Sequence, residues 1–212
     1  MTILSALFRY ALAVAAKIVL AVVGLVVVAL ALPFRTESGM PCVFSDPRFT
    51  HLGQWRLCRL PRWALWWDNP FDGLYGDARG WWANQCLEAG RAYDSWASCW
   101  LWAAIRNPVN YFSRQVIGVD VAECTIARLA GADYVEADQG APGWQVLLAT
   151  RADGKTFPRF LLELPWRFAP SHILLIDLGW KVKLSHNGTF KDAAPEQRIK
   201  GVVCAISLWK EL

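Results

Sequence analysis

The chain has 212 residues, 55% of them hydrophobic, and its 22 Lys or Arg against 18 Asp or Glu give a formal net charge of +4. So mild a balance, with no run of basic residues to track a phosphate backbone, argues against nucleic-acid binding. The six cysteines, Cys42, Cys58, Cys86, Cys99, Cys124 and Cys204, form no Cys-x-x-Cys pair or Cys/His cluster, so a zinc site of the usual spacing is unsupported; the even count permits disulfides if the domain is exported, and buried free thiols are the plainer reading.

The first predicted element is Ile18 to Phe34, IVLAVVGLVVVALALPF, seventeen residues without a charged or hydrogen-bonding side chain. That length is at the lower limit for crossing the ~30 Å hydrocarbon core as a helix, and Tyr10 to Ala16 extends it if Lys17 snorkels to the interface. Two readings compete. Arg9 and Lys17 ahead of an apolar run ending in Ala29-Leu30-Ala31 fit a cleavable signal; the apolar length from Tyr10 to Phe34 better fits a retained anchor, ended by Pro33 and Arg35. Residues 1–34 are therefore predicted to be a single-pass membrane anchor. Arg9 and Lys17 on one side nearly balance Arg35 and Arg48 on the other, and the short charged N-terminal tail leans the bulk to the outer, periplasmic side.

Residues 35–62, with Pro41, Pro47, Pro61, Gly39 and Gly53, read as a juxtamembrane linker with a short helical turn near Leu52 to Leu60. Arg56, Arg59 and Arg62 at three-residue spacing, followed by Trp63, Trp66 and Trp67, make a candidate membrane-interface or partner-binding edge; an ordinary solvated face fits the arginines equally well. Nine of the thirteen tryptophans fall between Trp55 and Trp102. With Asp77 as N-cap, one long amphipathic helix over about 78–105 places Trp81, Gln85, Ala89, Tyr93, Trp96, Trp100 and Ala103 on one face, and Asn107-Pro108 ends it. Such a stripe packs a core first and meets a membrane interface second.

From Tyr111 the period changes to two. His172, Leu174, Ile176, Leu178, Trp180, Val182 and Leu184 alternate with Asp177, Lys181 and Lys183, as in a strand with one wet face. Trp144–Thr150 and Thr156–Trp166 flank a hairpin turn at Arg151-Ala152-Asp153-Gly154-Lys155; Ile199–Trp209 adds a strand, and Phe112–Ala127 one or two more. The predicted class is α+β: residues 63–212 form a single domain with the helix and an antiparallel β-meander of about five strands over about 112–210.

Candidate chemistry is sparse. Asp68-Asn69-Pro70-Phe71-Asp72-Gly73 begins like a calcium loop, but Pro70 and Arg79 occupy positions that need ligands, which leaves at most a loose carboxylate site of Asp68, Asp72 and Asp77. Turn formation and helix capping explain the same residues. Neither a G-x-S-x-G elbow, a P-loop nor a dinucleotide fingerprint occurs, so no catalytic residue, metal or cofactor is predicted.

Four segments in order, the apolar N-terminus, Leu60-Pro61-Arg62-Trp63 running into Asp68-Asn69-Pro70 and Asp72-Gly73, the Trp-rich stretch closing on Arg106-Asn107-Pro108 with Asn110, and Leu178-Gly179-Trp180-Lys181, give the chain its family likeness. It resembles a family of small Trp-rich membrane-associated proteins of tailed bacteriophages and prophages. The resemblance implies a phage context, the host inner membrane and no assigned activity. The leading expectation is a non-enzymatic anchored protein whose α+β part binds a protein partner or the bilayer surface. The alternatives are a membrane-tethered hydrolase of lipid or cell-wall material using Asp68, Asp72 and Asp77, and a virion component that inserts during infection.

Overall fold

The computed structural model describes residues 3–41, 56–75, 90–92 and 94–212. They form a mixed fold of one long apolar helix, short helical segments and a five-stranded antiparallel sheet. The chain divides into two compact units, residues 16–116 and residues 1–15 with 117–212. The dividing point falls inside the first helix, so this one element contributes to two cores.

Helix α1 (Ile3–Ala31) has 29 residues and is about 43 Å long at 1.5 Å per residue. It is long and apolar enough to cross a membrane. It ends in a turn at Leu32–Phe34, where Pro33 cannot continue the hydrogen-bond ladder and Arg35 turns extended. Ala6, Tyr10, Ala13, Lys17, Leu20, Gly24, Val27 and Ala31 follow alternate steps of four and three, which keeps them on one stripe of the helix. Of these, Ala6, Ala13, Gly24 and Ala31 are buried, and small side chains there let other elements approach the helix backbone. Leu4, Phe8, Leu12, Ile18, Val19, Val22, Val26 and Leu30 lie off that stripe and are exposed.

In the unit of residues 16–116, β1 (Thr36–Pro41) pairs antiparallel with β2 (Arg56–Arg59), Thr36 opposite Arg59 and Glu37 opposite Cys58. The expected linker over 35–62 is therefore ordered strand in these parts, and Arg56–Arg59 is strand where a helical turn was expected. Burial of Cys58 and Leu60 in a core with Val28, Leu32, Leu74 and Cys99 supplies the reason. Residues 42–55 lie outside the described residues, as do residues 78–89 and 93 of the expected helix over 78–105. The described remainder is not one continuous helix: Gly90 is left-handed, and α2 (Trp96–Trp100) starts afresh at Ser95, whose hydroxyl accepts from the Ser98 N–H at 3.2 Å. A serine able to cap locally wins over continuing the turn. Leu101–Arg106 prolongs α2 with wider π-helical turns and stops at Asn107-Pro108 as predicted. The strand period expected from Tyr111 begins later, because Phe112–Val116 is a π-helical segment.

The other unit holds β3 (Val119–Asp120), β4 (Cys124–Gly131), β5 (Gly143–Arg151), β6 (Thr156–Trp166), β7 (Ala169–Trp180), a short helix α3 (Pro195–Arg198), β8 (Ile199–Lys200) and β9 (Val202–Glu211). The sheet order β4-β5-β6-β7-β9 is the predicted meander, and the hairpin turn closes with Arg151 N–H on the Lys155 carbonyl at 2.9 Å. One face is read in rows across the strands: Trp144, Leu162, Ile176, Ile206, then Val146, Phe160, Leu178, Cys204, none of them charged. The opposite face carries Gln145, Leu161, Asp177 and Ala205, with Arg159 in the next row.

The expectation that Asp177 marks a wet face is overturned. Asp177 is buried, and Arg159 clamps it with two bonds of 2.8 and 3.0 Å while donating a third to the Val182 carbonyl at 2.9 Å. A fully paired guanidinium lets a charge sit where alternation calls for solvent. Gly179, at φ +113°, breaks the alternation, and a Cβ there would overlap the Pro158 carbonyl oxygen. Beyond it Trp180 and Val182 turn into the core with Val121, Ile126, Leu147, Ala149 and Phe157.

Candidate functional site

From Ile18 to Ala31 α1 offers no hydrogen-bonding side chain, so a donor docking on it can bond only the second lone pair of a main-chain carbonyl. Two tryptophans do so. Trp67 donates its indole N–H to the Leu20 carbonyl at 2.6 Å, and Trp100 donates to Leu25 at 2.9 Å. Gly24 makes the first contact possible: a Cβ there would lie 2.6 Å from Trp67 Nε1 and nearer still to Cδ1. The indoles are themselves held, Trp67 beside Trp66 with ring centroids 6.5 Å apart, Trp66 against Phe112 at 5.3 Å, and Trp100 stacked on Trp96 at 6.2 Å.

The start of the helix is held in the sheet unit by different chemistry. Arg9 donates to the Thr156 carbonyl at 2.5 Å and lies over the Phe157 ring, and the Tyr10 hydroxyl donates to the Val203 carbonyl at 2.9 Å with its ring against Trp180. Arg9 was expected to flank a membrane span as an interface charge; here it is bound by protein.

Below Trp67 the chain makes a knot around Arg59. Its guanidinium donates to the Asn69 carbonyl at 2.8 Å and the Pro70 carbonyl at 2.5 Å and reaches the Asp68 carboxylate at 3.4 Å. Asp68 is fully buried and accepts the Asn69 N–H at 2.8 Å; burial outweighs the nearby Arg59 and pushes its carboxyl up to about 7. Asn69 caps the turn by accepting from Phe71 and Asp72 and donating to Asp72 at 3.0 Å. Gly73 accepts the Trp102 indole N–H at 2.9 Å, and Tyr111 N–H binds the Asp68 carbonyl at 2.9 Å. The Asp-Asn-Pro-Phe-Asp-Gly stretch is thus a folded corner that ties β2, the turn at Arg62–Trp67 and the Trp102 segment together.

The sequence-predicted residues divide accordingly. Arg59 points inward to this corner, whereas Arg62, Trp63 and Trp66 are exposed; the Arg56 side chain lies outside the described residues. Arg59 and Arg62 therefore do not share one edge, because Arg59 ends a strand and Arg62 belongs to the following 3-10 turn. Asp68 is occupied by Arg59 and Asp72 by Asn69, and Asp77 lies outside the described residues. Among the described residues no group of three His, Cys, Asp or Glu could hold a metal ion. Cys58, Cys99 and Cys124 are buried as expected, while Cys204 is exposed. Sequence reading gave Gly24 no role and did not assign Tyr10 or Trp100 these contacts; the recurrence of small side chains at Ala6, Ala13, Gly24 and Ala31, all on the one stripe of alternating steps of four and three, was the signal that could have found it.

No curated protein and no solved structure matches this chain. A family model does, over residues 1–211: the chain belongs to a family of unknown function, DUF7338.

Proposed function

We propose that this is a phage-encoded, non-enzymatic protein of the host inner membrane whose N-terminal helix lies in the bilayer interface, one stripe docked on its own chain and the other facing acyl chains. The observation behind this reading is the pairing of Trp67 and Trp100 with the carbonyls of Leu20 and Leu25, halfway along the apolar run, while Leu4, Phe8, Leu12, Val19, Val22, Val26 and Leu30 stay exposed. A rod crossing the membrane with the rest of the chain outside would hold those carbonyls at bilayer depth, beyond reach of the indoles. Exposed apolar side chains running from Leu4 to Leu30, about 39 Å at 1.5 Å per residue, call for cover, and hydrocarbon supplies it without any partner side chain. Exposed Trp63 and Trp66 suit the headgroup level. The phage setting rests on the motif resemblance. The engagement of Asp68 and Asp72 in turn structure favours a binding role over hydrolysis.

The length and apolarity of Ile3–Phe34 favour the single-pass arrangement as the second reading. Single cysteines at Leu4, Val19 and Leu30 of the full chain, labelled with an environment-sensitive fluorophore and quenched by lipids brominated at different depths, separate the two. Equal, shallow depths at all three support the in-plane helix. Depths graded through the bilayer with Val19 deepest support the span, and no quenching at any position refutes both.

A further inference from the structure

The contacts that hold the start of α1 leave charge and hydrogen-bonding capacity unspent. Arg9 donates through Nη2 to the Thr156 carbonyl and its guanidinium lies 5.3 Å from the centre of the Phe157 ring, yet its Nε–H is buried with no hydrogen-bond partner. Thr156 is only 7% exposed, and its buried hydroxyl is equally without a partner. Among the described residues no carboxylate pairs with Arg9. The charged groups acting on it include the like-charged Arg151 as well as Asp153. Asp153 is already engaged: it accepts bonds of 3.1 and 2.5 Å from Arg151 and lies 3.5 Å from Lys155 Nζ. All of these residues belong to one compact unit, residues 1–15 with 117–212.

We infer that Arg9, Thr156 and Arg151 form a binding site for a phosphate group, where the start of α1 meets the hairpin turn between β5 and β6. A buried N–H and a buried hydroxyl without partners, on residues already joined by a hydrogen bond, call for a third group. Water would bond both but would leave the guanidinium charge uncompensated with a second guanidinium acting on it. An anion meets both needs. A carboxylate offers two oxygens in one plane; the oxygens of a phosphate point to the corners of a tetrahedron, so that one group can accept from the Arg9 Nε–H, the Thr156 hydroxyl and the Arg151 guanidinium together. Entry is from the turn, where the Arg151 side chain is 32% exposed. The phosphate can be that of an anionic phospholipid or the free ion. Leu4, Phe8 and Leu12, on the neighbouring turns of α1, are exposed and offer acyl chains a surface beside the headgroup.

The test is thermal unfolding of the full chain in mild detergent at constant ionic strength, followed by near-ultraviolet circular dichroism. Four additions are compared: phosphatidylglycerol, diacylglycerol with the same acyl chains, inorganic phosphate, and chloride. Saturation of the site should raise the melting temperature by roughly 5 °C. A rise with phosphatidylglycerol alone marks a lipid-headgroup site, and a rise with inorganic phosphate marks one that takes the free ion. Thr156→Val keeps the side-chain shape and removes the hydroxyl. Without ligand it should melt no lower than the unmodified protein, and titration should show about tenfold weaker binding, restored by Thr156→Ser. Arg151→Gln, on the exposed turn, should weaken binding too. An equal rise with diacylglycerol, no rise with either phosphate source, a rise that either variant leaves at full affinity, or a lower melting temperature for ligand-free Thr156→Val each overturns the inference. The site stands on residues of one unit, so its failure leaves the depth of α1 in the bilayer, read by the labels at Leu4, Val19 and Leu30, untouched.

Discussion

Replacing Gly24 by valine separates a docked helix from a free one by the sign of the effect. In a free bilayer-spanning rod the change raises both apolarity and helix propensity, the latter by a few tenths of a kcal/mol, and should stabilise. In the docked helix the new Cβ comes 2.6 Å from Trp67 Nε1, about 1 Å inside the 3.5–4.0 Å of ordinary contact, so the indole must withdraw. Withdrawal breaks the 2.6 Å bond to the Leu20 carbonyl and strands an N–H beside apolar surface, at about 1–3 kcal/mol, and some packing is lost besides. Net of the propensity gain, the expected loss is about 2 kcal/mol, a fall in melting temperature of roughly 4–8 °C for a chain of this size. The assay is thermal unfolding of the full chain in mild detergent, followed by near-ultraviolet circular dichroism and tryptophan emission. The double variant Gly24→Val/Trp67→Ala should lose less than the sum of the two single changes, because the clash disappears with the ring. An unchanged or raised melting temperature for Gly24→Val would refute the docking.

Other perturbations read other parts of the structure. Trp67→Phe keeps most of the packing and removes only the donor, so unfolding should show a loss of about 1 kcal/mol. Asp177→Ala leaves the Arg159 guanidinium buried and half-paired and should cost about 3–5 kcal/mol by denaturant titration, while Arg159→Met with Asp177→Leu should come close to neutral. For pH, Asp68 and His186 act with opposite sign. The Asp68 carboxyl, raised to about 7 by burial, holds its proton longer folded than unfolded, so its stabilisation is complete below about pH 4 and is lost as pH rises through 7; Asp68→Asn should flatten that slope in melting temperature. His186, lowered to about 4 chiefly by burial and also by nearby Lys200, Lys183 and Arg159, contributes stability above about pH 6.5 that is lost as pH falls toward 4, and His186→Gln should remove that loss.

What could be read from the sequence follows from how local each signal is. The strands β5, β6 and β9 and the hairpin between β5 and β6 were legible because alternation and an Asp-Gly turn are decided within a dozen residues. The facing of β7 was not. Its apolar alternation is real, but both sheet faces need apolar residues, and only the distant Arg159 makes Asp177 the inward member. The long helix over 78–105 was over-extended because periodicity ignores capping: Ser95 can serve equally as a surface residue within a helix or as the cap of a new one, and its hydroxyl bond to Ser98 N–H chooses the second.

The candidate site fails to show in sequence for a different reason. An apolar run says only that a helix lacks polar side chains; it is silent about the main-chain carbonyls, which are present in every helix and acquire meaning only when a donor is aimed at them. Tryptophan is suited to that role, since its ring buries against aliphatic side chains while a single N–H remains to be satisfied, and in apolar surroundings a carbonyl's second lone pair is the nearest acceptor. The concentration of tryptophan ahead of Trp102 and the acceptor-free run before Phe34 are then two halves of one arrangement. Each reads as a membrane signature alone; together, through Gly24, they make the helix a surface that its own chain can grip on one side and leave bare on the other.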